Sequence, residues 1–207
     1  MGKLPTEYLS FLAALCGFGI VTAAIMPIHR WLPAAMVAPT PVSALLHAVA
    51  VVKAGVFTFL VVVVYIIGPE YLFESKASDW LIWLASFTIL ASSIIAISKD
   101  DLKARLAYST ISQLSYIILG AALATTFAIK GASFHIITHA IGKITLFFCA
   151  GAIYVTAHVK KISQLNGLGH KTPLIFFAYT LGALSIIGVP PFVGSWSKFY
   201  LILGSLE

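Results

Sequence analysis

Six apolar runs, each near the length of a membrane crossing and separated by short polar breaks, limit the folds open to this chain more than any other feature. An α-helix needs about 20 residues to cross the hydrocarbon core of a bilayer. It also satisfies its own backbone groups there, which an isolated strand in lipid cannot do. The runs predict spans at about Tyr8 to Met26, Val42 to Ile67, Trp80 to Ile97, Leu106 to Ala128, Phe134 to Ala157, and Leu174 to Leu203 with a break inside the last. Charged residues are 10% of the chain, against roughly 25% in soluble domains. The expected class is therefore all-α, a polytopic transmembrane helix bundle. The first run does not read as a cleaved signal peptide, because "MGKLPTEYLSFL" contains Glu7 and no small-residue cleavage site follows a short apolar core.

Orientation follows from lysine and arginine in the short loops. Arg30, Lys99, Lys103, Arg105, Lys160, Lys161 and Lys171 fall on one side, and Lys3, Lys76 and Lys130 on the other, beside Glu7, Glu70, Glu74 and Asp79. The first set is expected in the cytoplasm, with the amino terminus outside a bacterial-type plasma membrane. On this reading the net charge of +6 is a topology signal and implies no nucleic-acid partner. Cys16 and Cys149 lie in apolar spans without CxxC spacing, so no disulfide or metal site is expected. No glycine-rich phosphate loop, paired carboxylates or Ser-His-Asp order is visible, and no soluble-type active site is expected.

After the loop charges are assigned, Lys53, Lys143, Lys198, His47, His135 and His139 remain at membrane depth. An intramembrane lysine costs about 2.5 to 3.5 kcal/mol on insertion scales unless it faces protein or water, so function is the default reading. Lys198, near the end of its run, also suits a snorkelling role. A lone histidine such as His47 is equally suited to packing. His135, His139 and Lys143 follow i, i+4, i+8, which drifts by only about 80° around a helix, so they leave one face with about 6 Å of rise between neighbours. Histidine titrates near neutral pH and desolvation lowers the pKa of a buried lysine toward that range, so the series reads as a titratable ladder along the bilayer normal. His47 and Lys53, six residues apart, cannot share such a stripe and address different neighbours.

On the preceding span Ser109, Ser112, Gln113 and Tyr116 follow i, i+3, i+4, i+7 and share a face, suited either to hydrogen-bonded water or to packing against another helix. Two stretches carry breaks. "IMPIHRWLPAAMVAPTP" strings Pro27, Pro33, Pro39 and Pro41 after the first run, and "GVPPFVGSWSK" interrupts the last with Gly188, Pro190, Pro191 and Gly194. Discontinuous helices of this kind occur at ion sites in transporters built from inverted repeats. A plain kink or helix end is the alternative for the first.

Taken together, "HRWLPAAMVAPTPVSALLHAVAVVKAGVF", "DDLKARLAYSTISQLSYIILG", "FHIITHAIGKITLFF" and "GVPPFVGSWSKFYL" resemble the antiporter-like subunits of respiratory complex I, of Mrp-type multisubunit cation/proton antiporters and of membrane-bound hydrogenases. The resemblance implies a larger protein of about fourteen helices built from inverted repeats. In it, residues 1-67 end the first repeat and residues 79-207 form most of the second. By this mapping Lys143 matches the family's central lysine, His139 and His135 its histidine companions, and Lys198 the ionisable residue at the broken twelfth helix. Lys53 and His47 fall on the helix that bridges the two half-channels. A lysine usual on the seventh helix is Thr22 here, which puts the first half-channel in doubt or moves its role, for instance to Lys53. The chain stops within an apolar element at Glu207, and a fragment or a split subunit is expected.

The expectation is thus a proton-translocating subunit without redox chemistry or cofactor of its own. Its partners would be other membrane subunits, lipid, protons and a monovalent cation. The Mrp-type antiporter branch is nearest by resemblance, and a complex I pump subunit is the alternative, in which case the chain counts as part of a translocase. A structural subunit whose polar residues only satisfy each other is a third reading.

Overall fold

Local chemistry sets where each helix starts and stops in the computed structural model, which describes residues 23–48 and 50–207, apart from the side chains at positions 47 and 48. In chain order the helices are α1 (Trp31–Ala34), α2 (Thr40–Ala48), α3 (Val51–Val61), α4 (Pro69–Ser75), α5 (Asp79–Ser98), α6 (Leu102–Leu123), α7 (Thr126–Ala157), α8 (Leu168–Lys171), α9 (Pro173–Ile187) and α10 (Val193–Leu206). α3 passes directly into a π-helical segment, Val62–Ile67. The architecture is all-α, as the apolar runs predict. The first run lies outside the described residues up to position 22, and Cys16 and Thr22 with it.

Among the described residues, four stretches are long and apolar enough to cross a membrane: Thr40–Ile67, α5, α6 and α7, with α9 a shorter apolar helix. The chain is an integral membrane protein. α5 matches its predicted span to within a residue at each end. The predicted boundary between the fourth and fifth spans is wrong. The chain turns at Ala124, which takes a left-handed φ of 55°, and the Thr125 hydroxyl then caps the next helix by accepting from the Ala128 N–H at 3.3 Å. Thr126 to Ala128, expected at the end of the fourth span, begin the fifth, which runs for 32 residues. Apolar residues continue across this turn, so hydropathy carries no mark of it. Val42 to Ile67, read as one run, is two helices, and the Ala50 N–H donates five residues back to the Leu45 carbonyl at 3.0 Å. The last run divides as expected, between α9 and α10, where Gly188 closes α9 with a φ of 88°.

α7 is the central element: α6, α9, α10 and α2 all pack on it, and α5 covers the far side of α6. Close approach is obtained with small residues. At Gly131 an added Cβ would meet the Leu201 backbone nitrogen at 2.7 Å, and at Gly120 the Ala128 carbonyl oxygen at 2.9 Å. Glycine-lined contacts of this type let membrane helices pack backbone to backbone. Large apolar side chains such as Trp83 and Ile97 remain exposed, as suits lipid or neighbouring subunits.

The two ends of the bundle differ in charge. At one, Lys99, Lys103, Arg105, Lys160 and Lys161 are gathered by backbone contacts: Lys103 Nζ donates to the Ala38 carbonyl at 3.3 Å, Arg105 Nε to that of Lys99 at 3.0 Å, and Asp101 bridges Lys161 as an isolated antiparallel pair. At the other, Ser78 donates to the Ala122 carbonyl at 2.7 Å and Thr125 to that of Gly204 at 2.8 Å.

Asp100 staples the basic end by accepting from the Ser163 N–H at 3.0 Å and the Ser163 hydroxyl at 2.8 Å. Those two bonds hold its carboxyl below the ordinary value of 3.8. Because the folded value is the lower one, the staple is complete above 3.8 and is lost as pH falls through the folded value. Protection of the Ser163 amide, taken against the intrinsic rate at the same pH, is expected to hold from neutral pH down to that range and then to fall. Asp100→Ala should show the fast regime at every pH.

Candidate functional site

α7 carries the centre of the site because its sequence places a polar residue every fourth position on its buried face. His135, His139 and Lys143 are exposed by only 2%, 1% and 0%, and Lys143 is among the largest of the fully buried side chains. The spacing of four thus puts all three inside the bundle. They do not form one hydrogen-bonded ladder. The rotation of about 80° between the first and the last turns each toward a different neighbour.

Lys143 Nζ donates to the Leu106 carbonyl of α6 at 3.1 Å. His139 Nδ1 lies 2.7 Å from Lys53 Nζ, which comes from α3 and also donates to the Ile136 carbonyl at 2.8 Å. His135 Nδ1 lies 3.0 Å from Ser197 Oγ on α10. The two imidazole rings are stacked, with centroids 6.0 Å apart and planes at 26°. Beyond His135, the Tyr116 ring is 6.1 Å away, and Lys198 Nζ sits 5.7 Å above that same ring while donating to the Ile187 carbonyl at 2.9 Å. The continuous series is therefore Lys53, His139, His135, Tyr116 and Lys198, with Lys143 one turn further along α7.

The electrostatics of this interior are one-sided. Every described carboxylate, Glu70, Glu74, Asp79, Asp100, Asp101 and Glu207, is exposed. Among the described residues, the acceptors that meet Lys53 and Lys143 are carbonyls and an imidazole, so in a low dielectric a charge on one disfavours a charge on its neighbour. Among the described residues, no group of three or more His, Cys, Asp or Glu comes together in a way that would hold a metal ion. Cys149 is a free, buried thiol.

The remaining predicted residues divide. The Ser109, Ser112, Gln113, Tyr116 face does not act as a unit. Ser112 points to α5, 2.9 Å from the Ser93 hydroxyl and within 3.3 Å of the Ile89 carbonyl, so it joins helices. Tyr116 faces the site. Gln113 is buried, with its Oε1 lacking a hydrogen-bond partner among the described residues. Ser109 is half-buried. Pro190 and Pro191 stand in the break that positions Lys198, and Pro27 lies in the turn before α1. The His47 side chain lies outside what is described.

Ser197 was not anticipated. It sits one residue before Lys198 on the buried face of α10, which is otherwise Gly194, Leu201 and Gly204. That spacing of small residues toward a neighbouring helix is the signal that would have revealed it.

The family described as "NADH:quinone oxidoreductase/Mrp antiporter, TM" matches residues 2–207. Among curated proteins, the chain is 39% identical over 206 residues to NADH-quinone oxidoreductase subunit N of Desulforudis audaxviator, covering 98% of this chain and 40% of that protein. It is 36% identical over 207 residues to NAD(P)H-quinone oxidoreductase chain 5 of Synechocystis, covering 95% of this chain and 29% of the relative. The structure superposes on a chain of the Mrp complex from Dietzia with a TM-score of 0.87 at 34% identity, over 97% of this chain and 22% of that one. It also superposes on a chain of an archaeal membrane-bound sulfane sulfur reductase with a TM-score of 0.83 at 30% identity, over 95% and 40%.

Proposed function

Because the chain belongs to the NADH:quinone oxidoreductase/Mrp antiporter transmembrane family, we propose that it is a proton-translocating subunit of a multisubunit membrane complex. The observation that carries this reading is the buried series of proton-exchanging side chains with no described carboxylate beside it: Lys53 against His139 at 2.7 Å, His135 stacked on His139, and Lys143 sealed within the bundle. A purely structural network needs hydrogen-bond donors and acceptors, but not two lysines whose charges oppose each other in a low dielectric. In the proposed path Lys143 is the central proton-holding residue, His139 and His135 relay, Lys53 and His47 connect to the other half of the membrane path, and Lys198 gates the exit. The basic end of the bundle faces the cytoplasm and the amino terminus lies outside, in a bacterial-type plasma membrane. Residues 1-67 close one inverted repeat and 79-207 supply most of the next.

The leading reading is a monovalent cation/proton antiporter subunit, supported by the superposition on the Dietzia Mrp chain. The curated relatives support a second, a pump subunit driven by quinone reduction. Everted vesicles holding the whole complex separate them. With a respiration-generated pH gradient in place, added sodium or potassium is expected to collapse it. No response to either cation, with gradient formation itself dependent on the complex, would replace the antiporter by the redox-driven pump.

A further inference from the structure

Two hydrogen bonds at the centre of the site differ in polarity. Ser197 Oγ donates to the Gly194 carbonyl at 3.0 Å. The serine has one proton, so toward His135 Nδ1, at 3.0 Å, its oxygen is the acceptor. His135 Nδ1 therefore carries hydrogen, and in the neutral ring Nε2 is a bare acceptor. His139 meets the opposite partner. Charged Lys53 Nζ has no lone pair and can only donate, one hydrogen to the Ile136 carbonyl and one to His139 Nδ1. His139 Nδ1 is therefore the acceptor, and its hydrogen is on Nε2. Ring tautomers are assigned from such partners.

From this geometry we propose that His135 and His139 rest in opposite neutral tautomers, Nδ1–H at His135 and Nε2–H at His139, and that Ser197 is the positioning residue that sets the first. The two Nε2 atoms are buried and have no hydrogen-bond partner among the described residues. One is then a free donor and the other a free acceptor on successive turns of α7, in rings 6.0 Å apart. Gln113 Oε1, a further buried acceptor without a partner among the described residues, lies on the same seam. α6 and α7 run antiparallel, pinned at Leu106 against Lys143 and at Tyr116 against His135, and Gln113 is seven residues on from Leu106, hence on nearly the same face of α6.

The pair has a direction, and this step rests on the transport reading above. A proton leaves charged Lys53 as its Nζ–H bond breaks and an Nδ1–H bond forms on His139. The His139 Nε2–H bond then breaks and an Nε2–H bond forms on His135, directly or through water. Lys53 ends as the amine, His139 as the neutral Nδ1–H tautomer and His135 as the imidazolium. A second proton cannot follow until His139 returns to its first tautomer, so the pair passes one proton per reset. The titratable groups that face it are Lys53 and Lys143 on the His139 side and Lys198 and Tyr116 on the His135 side.

The test is solid-state ¹⁵N NMR of the whole complex labelled in histidine, with the two rings assigned by the signals lost in His135→Asn and His139→Asn. The expected spectrum has His135 protonated at Nδ1 and His139 at Nε2. Ser197→Ala should move His135 toward Nε2–H and leave His139 unchanged, Ser197→Thr should restore the original pattern, and Lys53→Met should change His139 alone. The same tautomer at both rings, imidazolium at both, or a His135 signal indifferent to Ser197→Ala would overturn the proposal. The readout does not depend on transport, so its failure leaves the transport reading standing, and the converse also holds.

Discussion

Lys143→Ala is expected to reduce proton translocation by the assembled complex to the leak of vesicles lacking it, a loss of about 100-fold or more if the residue acts as the central acid–base group. Lys143 is fully buried, and among the described residues its ammonium is bonded to the Leu106 carbonyl, with apolar or hydroxyl side chains next to it in sequence on α7. Truncating so large a buried side chain also leaves a cavity, with a stability cost of about 2 to 5 kcal/mol for residues of similar size. Lys143→Met separates the two effects, because it fills most of the same space without a titratable group. Both variants should assemble to a comparable degree if the role is transport, and both should fail to move protons. His47→Ala should only weaken transport. The measurement is the initial rate of gradient formation in everted vesicles, normalised to the amount of complex. Equal residual rates in the Lys143 and His47 variants would contradict the ranking.

The second large effect concerns assembly. Gly204→Val and Gly194→Val are expected to prevent accumulation of folded chain. An added Cβ at Gly204 runs into the backbone of Ala128 on α7, and one at Gly194 into the Ser185 carbonyl of α9. Overpacking of a well-filled core costs about 1 to 3 kcal/mol even when side chains can adjust, and here the obstacle is backbone. The Gly204 carbonyl also accepts from Thr125, so a displaced α10 exposes a second bond. Gly169→Ala is the control: its nearest neighbour would be a Phe176 ring carbon at 3.9 Å, ordinary contact. The check is complex recovered from membranes after mild detergent extraction. Wild-type yield from Gly204→Val would refute the packing of α10 on α7.

Much of the fold is legible in the sequence. Apolar runs near the thickness of a bilayer determine where helices cross, and the break around Gly188 and Pro190 is visible because those residues have no other use inside such a run. The burial of His135, His139 and Lys143 follows from a period of four on one helix. What the sequence hides is what depends on meeting a distant element. Lys53 and His139 are 86 residues apart, and no local pattern says that α3 brings one to the other. Ser112 reads as part of a polar face with Tyr116, yet the rotation between them sends it to Ser93 on α5 and Tyr116 to His135. The turn at Ala124 escapes because it is made by backbone conformation in a stretch without glycine or proline. Ser197 is hidden because a serine beside the charged Lys198 has no charge of its own to mark it in an apolar run.

The most direct test of the central claim is proton flux through the purified complex reconstituted in liposomes, driven by an imposed potential and read by a pH-sensitive dye inside. The wild-type complex should change the internal pH and the complex carrying Lys143→Met should not, at equal incorporation. Equal flux in the two would place the proton path elsewhere and leave the buried lysine and histidines as packing.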